Sequence, residues 1–199
     1  MWIDRDEDPE PAYDWIDVME KLCDRFWSND AAGNPDLGTG KMVEEDVIVV
    51  SRYQKGGSDA PTGPLDEALN NVFDFDAHFV PAVGPKGRPT KKMDMLFSYL
   101  VFDVDCPDHA PLSESMQWLK ADLERLEGHE ALSQYRAFYT TKNGYRVIYQ
   151  PTRYLTKKEM PEMRLVYNQR FREAGIEVDV ACKDFSRIFR LPHVTRDGV

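Results

Sequence analysis

Asp103 and Asp105 are the residues of this chain whose type and spacing most directly suggest chemistry. They close an apolar, aromatic and β-branched run, Phe97-Ser98-Tyr99-Leu100-Val101-Phe102-Asp103-Val104-Asp105, which Cys106 and Pro107 then end. Such a run reads as a buried strand delivering its last residues into a site. Side chains alternate along a strand, so Asp103 and Asp105 share one face while Phe102 and Val104 take the other. Two like charges on one face of an apolar sheet need a cation, a basic partner or water. Hard ions such as Mg²⁺ take a few carboxylate oxygens and complete their octahedron with water and substrate phosphates, so the pair suggests a metal site for phosphate chemistry. The competing reading is a strand that simply ends in solvent with both aspartates hydrated.

Phosphate chemistry also needs cationic groups, and their distribution matters more than the net charge of −10. Ser133 to Arg196 holds thirteen basic residues against six acidic ones, a local balance of +7 that leaves −17 for the remainder, much of it between Asp4 and Asp24. A basic region inside an acidic protein suits local phosphate binding, and a solvated helix face accounts for some of the same charges.

Apolar content of 42%, with 12% aromatic residues, supports a real core over 199 residues. No apolar run approaches the ~20 residues that cross a bilayer, and Met1-Trp2-Ile3 leads straight into acidic residues, so a cytoplasmic chain with no membrane partner is expected. Cys23, Cys106 and Cys182 are scattered without a C-x-x-C, which argues against a disulfide framework or zinc ribbon. The Cys106/His109 spacing reads as a buried thiol and a loop imidazole rather than a metal pair.

The elements that must position these groups follow from periodicity. Trp15, Val18, Met19, Leu22 and Phe26 predict an amphipathic helix over 13–27, followed by a loop over 29–41. Val47-Ile48-Val49-Val50 reads as a short strand, residues 56–63 as a loop, and Leu65, Ala68, Leu69, Val72 and Phe73 as a helix. His78 to Val83 reads as a strand interrupted by Pro81 and therefore near a sheet edge. The basic stretch 84–92 reads as a loop that is either a surface turn or a nucleotide or template contact. Residues 112–126 read as a helix with Met116, Leu119, Leu123 and Leu126 on one stripe and Gly128 as its stop. Asn143-Gly144 between two β-rich runs predicts a hairpin. Thr156-Lys157-Lys158-Glu159 is a capping box opening a helix through Arg172 that Gly175 closes. Strands then follow over 176–180, bringing Asp179, and over 186–192. The fold class expected is α+β: a mixed, largely antiparallel sheet with packed helices. Residues 1–75 form an N-terminal part packing on a core of 76–199, the whole making one compact unit.

Taken in order, Asp103 with Asp105, the hairpin bearing Arg146, and Asp179 followed by Arg187 and Arg190 resemble the three motifs of the archaeo-eukaryotic primase superfamily, the primase-polymerases. The first motif is matched by Leu100-Val101-Phe102-Asp103-Val104-Asp105, and the third by Val178-Asp179 with Arg187-Ile188-Phe189-Arg190-Leu191-Pro192. The second departs: where the family usually has a serine, any residue and a histidine, this chain has Gly144-Tyr145-Arg146. The resemblance covers about His78 to Arg196. It implies an RRM-like catalytic core in which Asp103, Asp105 and Asp179 hold Mg²⁺ or Mn²⁺ and Arg187 and Arg190 approach nucleotide or template phosphates. Arg146 can stand in for the family histidine, because its fixed fork of donors suits phosphate oxygens.

The expected activity is DNA primase/polymerase chemistry: attack of a 3′-hydroxyl on a nucleoside triphosphate, deoxy or ribo, along a single-stranded DNA template. Lys142 and Asn143 at the hairpin tip are further phosphate contacts or ordinary turn residues. Asp184 is an alternative third acid, or a loop partner of Arg187. Two other readings stand beside this one: a replication module that binds nucleic acid with little or no turnover, and a phosphatase resembling the haloacid dehalogenases, whose nucleophile strand also ends in D-x-D but continues differently. The third motif lies near Val199, as expected of a catalytic piece working with a helicase or other replication domain.

Overall fold

The computed structural model describes residues 46–51, 62–83, 95–179 and 187–194, all within the second of the two units into which the chain divides, Met1–Gly40 and Lys41–Val199. In chain order the elements are β1 (Asp46–Ser51), β2 (Thr62–Pro64), α1 (Leu65–Asn70), β3 (Ala77–Val80), β4 (Ala82–Val83), β5 (Leu96–Phe97), β6 (Leu100–Asp105), α2 (Met116–Gly128), β7 (Ala137–Thr141), β8 (Gly144–Tyr149), β9 (Leu155–Thr156), α3 (Glu159–Glu173) and β10 (Phe189–Arg190). The strands form three sheets, ordered β10-β3-β1-β2, β4-β5-β9 and β6-β8-β7, and each pairing within them is antiparallel. The fold is α+β. The strands β1 and β2 of the N-terminal part share a sheet with β3 and β10 of the C-terminal part.

The β6-β8-β7 sheet positions the candidate site, and both its faces are covered. On one face Phe102 meets Phe171 and Tyr167 of α3 at ring-centroid distances of 5.1 and 5.6 Å, while Trp118 of α2 lies 5.6 Å from Tyr145. Arg164, Tyr167 and Phe171 recur at the three- and four-residue spacing of a single helix face, which is why α3 lays all three along β6. On the other face Tyr99, Val101 and Ile148 join Val47, Val49, Ala77, Phe79, Phe189 and Leu191 in one buried cluster between this sheet and the first. Strand alternation therefore sends the face carrying Val101, Asp103 and Asp105 from the core outward to an exposed end.

Among the described residues β6 has a strand partner, β8, on one side only, and two carbonyls of its other edge are bonded without a regular strand. Arg164 donates from Nη1 to the Val101 carbonyl at 2.6 Å, and the Asp179 N–H donates to the Asp103 carbonyl at 2.8 Å. Buried carbonyls of an open edge would otherwise go unpaired.

Thr156 and Glu159 form the expected capping box. Both Thr156 N–H and its hydroxyl donate to Glu159 Oε2, at 2.9 and 2.8 Å, and the Glu159 N–H returns to Thr156 Oγ1. Gly175 ends α3 at φ 72°, a left-handed position that suits a residue without a Cβ.

Several expectations are corrected. The hairpin loop is Lys142-Asn143, with Thr141 paired to Gly144, and neither loop residue has the positive φ that a type I′ turn requires. Gly144 serves close approach instead: a Cβ there would lie 1.9 Å from the Val104 carbonyl oxygen. β3 lies inside its sheet between β10 and β1 rather than at an edge; Pro81, which has no N–H to give, marks the step into the second sheet. Thr62 and Gly63, at the end of the loop expected over 56–63, pair with β1. Helix α1 stops at Asn70, short of Val72 and Phe73. Leu112–Glu114 is a 3₁₀ turn before α2, and Met116, expected on the buried stripe, is exposed. Residues 176–179 form no regular strand, and the last strand among the described residues is only Phe189–Arg190. The helix expected over 13–27, the loop over 29–41, the basic loop over 84–92 and Asp184 lie outside the described residues.

Candidate active site

The register of the β6-β8-β7 sheet sets three side chains in a row. Asp103 is opposite Arg146 and Arg146 opposite Tyr139, so all three project from one face. The next row outward is Asp105, Gly144 and Thr141. Arg146 donates from Nη2 to Asp103 Oδ2 at 2.9 Å and from Nη1 to the Arg190 carbonyl at 2.9 Å. The Tyr139 hydroxyl donates to that same Arg190 carbonyl at 2.9 Å and lies 3.3 Å from Arg146 Nη1. The Nε of Arg146 is buried and makes no hydrogen bond among the described residues. Burial by itself would lower the pKa of Arg146, yet Tyr139 and the Asp103 carboxylate more than offset it, and the guanidinium stays charged.

Asp179 meets Asp103 through its backbone, and the charges of both reach Asp105. Asp103 is only 8% exposed, and the Asp105 side chain is partly covered, 39% exposed. The main-chain bond from Asp179 N–H to Asp103 brings together residues 76 positions apart in the chain. The Asp105 carboxyl is pushed above its usual range, first by burial, then by the charge of Asp103 and further by that of Asp179, against the opposing pull of His109 and Arg146. Arg187 lies 3.6 Å from Asp179, and the His109 Nδ1 lies 3.7 Å from Asp105. No set of three or more His, Cys, Asp or Glu side chains among the described residues stands ready to hold a metal ion. The donors nevertheless fit a hard divalent cation, because Mg²⁺ is commonly held by one or two carboxylates and takes its remaining oxygens from water and substrate phosphates.

Arg190 is placed differently from Arg146 and Arg187. Phe189 points into the core, so alternation turns the Arg190 side chain to the opposite face, where Nε and Nη2 donate to the two carboxylate oxygens of Asp76 at 2.6 and 3.1 Å. Its carbonyl, not its guanidinium, supports Arg146. Asn143 is likewise occupied: Nδ2 donates to the His109 carbonyl at 2.6 Å. The N–H groups of Cys106 and Leu112 bond the Asn143 and Lys142 carbonyls at 2.7 and 2.9 Å, clamping the loop after β6 onto the hairpin tip. Lys142 is exposed.

Between β7 and residues 190–194 lies a cavity of about 370 Å³ lined by Tyr139, Thr141, Lys142, Arg146 and Arg190, among others. Arg146 thus faces two ways, to Asp103 and to this cavity. Tyr139 and Asp76 have no part in the sequence reading, and His109 enters it only as a loop imidazole. Tyr139 could have been found from the hairpin, since a loop at Lys142-Asn143 puts it opposite Arg146. Asp76 carries no signal before the chain is folded. Comparison of the chain with protein-family models, curated proteins and solved structures finds no match.

Proposed function

We propose that this chain is a metal-dependent nucleotidyltransferase of the primase-polymerase kind, joining a nucleoside triphosphate to a 3′-hydroxyl on a single-stranded DNA template. The observation that carries the reading is the bond of Asp179 N–H to the Asp103 carbonyl, 2.8 Å, which unites the first and third motifs beside β6. The element order supports it as well: β6, α2, β7, β8, the short β9, α3 and then Asp179 at the other edge of β6 resemble the β-α-β-β-α-β path expected of an RRM-like core.

Asp103 and Asp105, with Asp179, would hold Mg²⁺ or Mn²⁺. An ion bound there would supply a lowered pKa for the attacking hydroxyl and positive charge to neutralise the leaving pyrophosphate. Arg146 and Lys142 offer donors to the triphosphate from the wall of the cavity, and Arg187 offers a further cation beside Asp179. Arg190 acts through the backbone, its guanidinium anchored on Asp76.

One observation favours a second reading, a replication module that binds nucleic acid without turnover: Arg146 already occupies Asp103. Primer extension on a primed template with Mg²⁺ or Mn²⁺ separates the two. The expected result is metal-dependent extension by the wild type and none by Asp103→Asn. Template binding with no extension in either metal refutes the catalytic reading in favour of the module.

A further inference from the structure

Asp103 is the most buried of the three acids, and the group that compensates its charge is part of the protein. Arg146 Nη2 sits on Asp103 Oδ2 at 2.9 Å, while the same side chain lines the cavity that also presents Lys142 and Thr141 and keeps a buried Nε with no hydrogen-bond partner among the described residues. We propose that Arg146 is an internal counter-ion that holds Asp103 until a triphosphate in the cavity draws the guanidinium away, so that Arg146 and the divalent cation compete for one carboxylate. The proposal rests on the nucleotidyl-transfer reading and adds an order to it: phosphate in the cavity first releases Asp103, and the metal site is then completed.

Two features point this way. Arg146 is tethered by its Nη1 to the Arg190 carbonyl, so Nη2 can change partner while the side chain stays anchored. Guanidinium pairs equally well with carboxylate and with phosphate, and the fork geometry is the same for both. A phosphate carries more charge than the single carboxylate it replaces, which sets the direction of the exchange.

Competition makes a prediction that loss of structure cannot mimic, because deleting either member of the pair must strengthen binding of the other member's ligand. Mn²⁺ binding is followed by electron paramagnetic resonance without nucleotide. Binding of a nucleoside triphosphate is followed by calorimetry in excess EDTA. Arg146→Met is expected to bind Mn²⁺ about tenfold more tightly than wild type, the scale of one charge-assisted hydrogen bond to a buried carboxylate. Asp103→Asn is expected to bind the metal-free triphosphate more tightly by a similar factor. Arg136→Met makes the same charge change at the surface pair with Asp66 and should leave Mn²⁺ affinity unchanged.

Unchanged or weaker Mn²⁺ binding by Arg146→Met, in a variant whose thermal transition remains cooperative, overturns the exchange. So does an equal gain in Arg136→Met, which would be a general charge effect. Should Arg146→Met be unfolded, the Asp103→Asn arm decides by itself. Adding Asp103→Asn to Arg146→Met tells the two levels apart. If the double variant loses Mn²⁺ but Arg146→Met shows no gain, only the exchange fails. If the double variant still binds Mn²⁺ like the wild type, the ion is not held by Asp103, and the nucleotidyl-transfer reading, which places it there, fails as well.

Discussion

Gly144→Ala is the most exacting test of how this fold holds the site. A methyl group at this position would lie 1.9 Å from the Val104 carbonyl oxygen and 3.0 Å from the Asp105 Cα. Real Cβ atoms essentially never come closer than 3.0 Å to a neighbour, so β8 and β6 must part by about 1 Å at the end that carries Asp105, and the neighbour is backbone that cannot rotate aside. Overpacking of this kind costs about 1–3 kcal/mol. Parting the strands also strains the two bonds that clamp the hairpin tip, Cys106 N–H to Asn143 and Leu112 N–H to Lys142, each worth about 1 kcal/mol. Against this, replacing a glycine recovers about 0.4–1 kcal/mol by restricting the unfolded chain. The net is a loss of about 2–4 kcal/mol, a fall in Tm of roughly 5–15 °C for a unit of this size. Urea unfolding of wild type and variant measures it. Gly128→Ala, with nothing within 4 Å of the added methyl, serves as control and should be neutral or stabilising by up to about 1 kcal/mol. A Gly144→Ala protein within about 0.5 kcal/mol of wild type would refute the argument that close backbone approach fixes this glycine.

Two further outcomes are expected. The buried pair of Arg153 and Glu159, joined at 3.1 and 3.2 Å, should cost about 3–5 kcal/mol when Arg153→Met strands the carboxylate, with much of the loss recovered in the Arg153→Met/Glu159→Met double variant; a double variant as unstable as the sum of the singles counts against this, as read by denaturant midpoints in a mutant cycle. His78 has its pKa lowered, chiefly by burial, with the positive charges of Arg190 and Arg146 adding to it against the pull of Asp76. The unfolded chain therefore takes up this proton first, so the stability His78 contributes is complete above its ordinary value of 6.5 and is lost as pH falls from there through the lowered folded value. The His78→Gln protein should show a flatter stability profile over that interval, and an unchanged slope would sink the assignment.

Local rules were legible in the amino-acid order wherever one residue type answers one local need. Thr156 and Glu159 announced the start of α3, Gly175 its end, and the apolar run to Asp105 a strand with both acids on one face. Each of these depends on neighbours within about four positions. The Asn143-Gly144 pair misled by one residue, because the signal for a tight turn and the signal for close backbone approach are both a glycine, and only the neighbouring β6 distinguishes them.

The chain order fixed which acids and arginines exist and on which face of β6 the first two lie. Their partners were decided by the fold. That Arg146 rests on Asp103, that Arg190 turns away to Asp76, and that Asp179 meets β6 through its backbone all depend on strand register and on which edge of a sheet is left open. Those are settled by contacts between distant segments, where a shift of one residue changes every partner while leaving the local pattern intact.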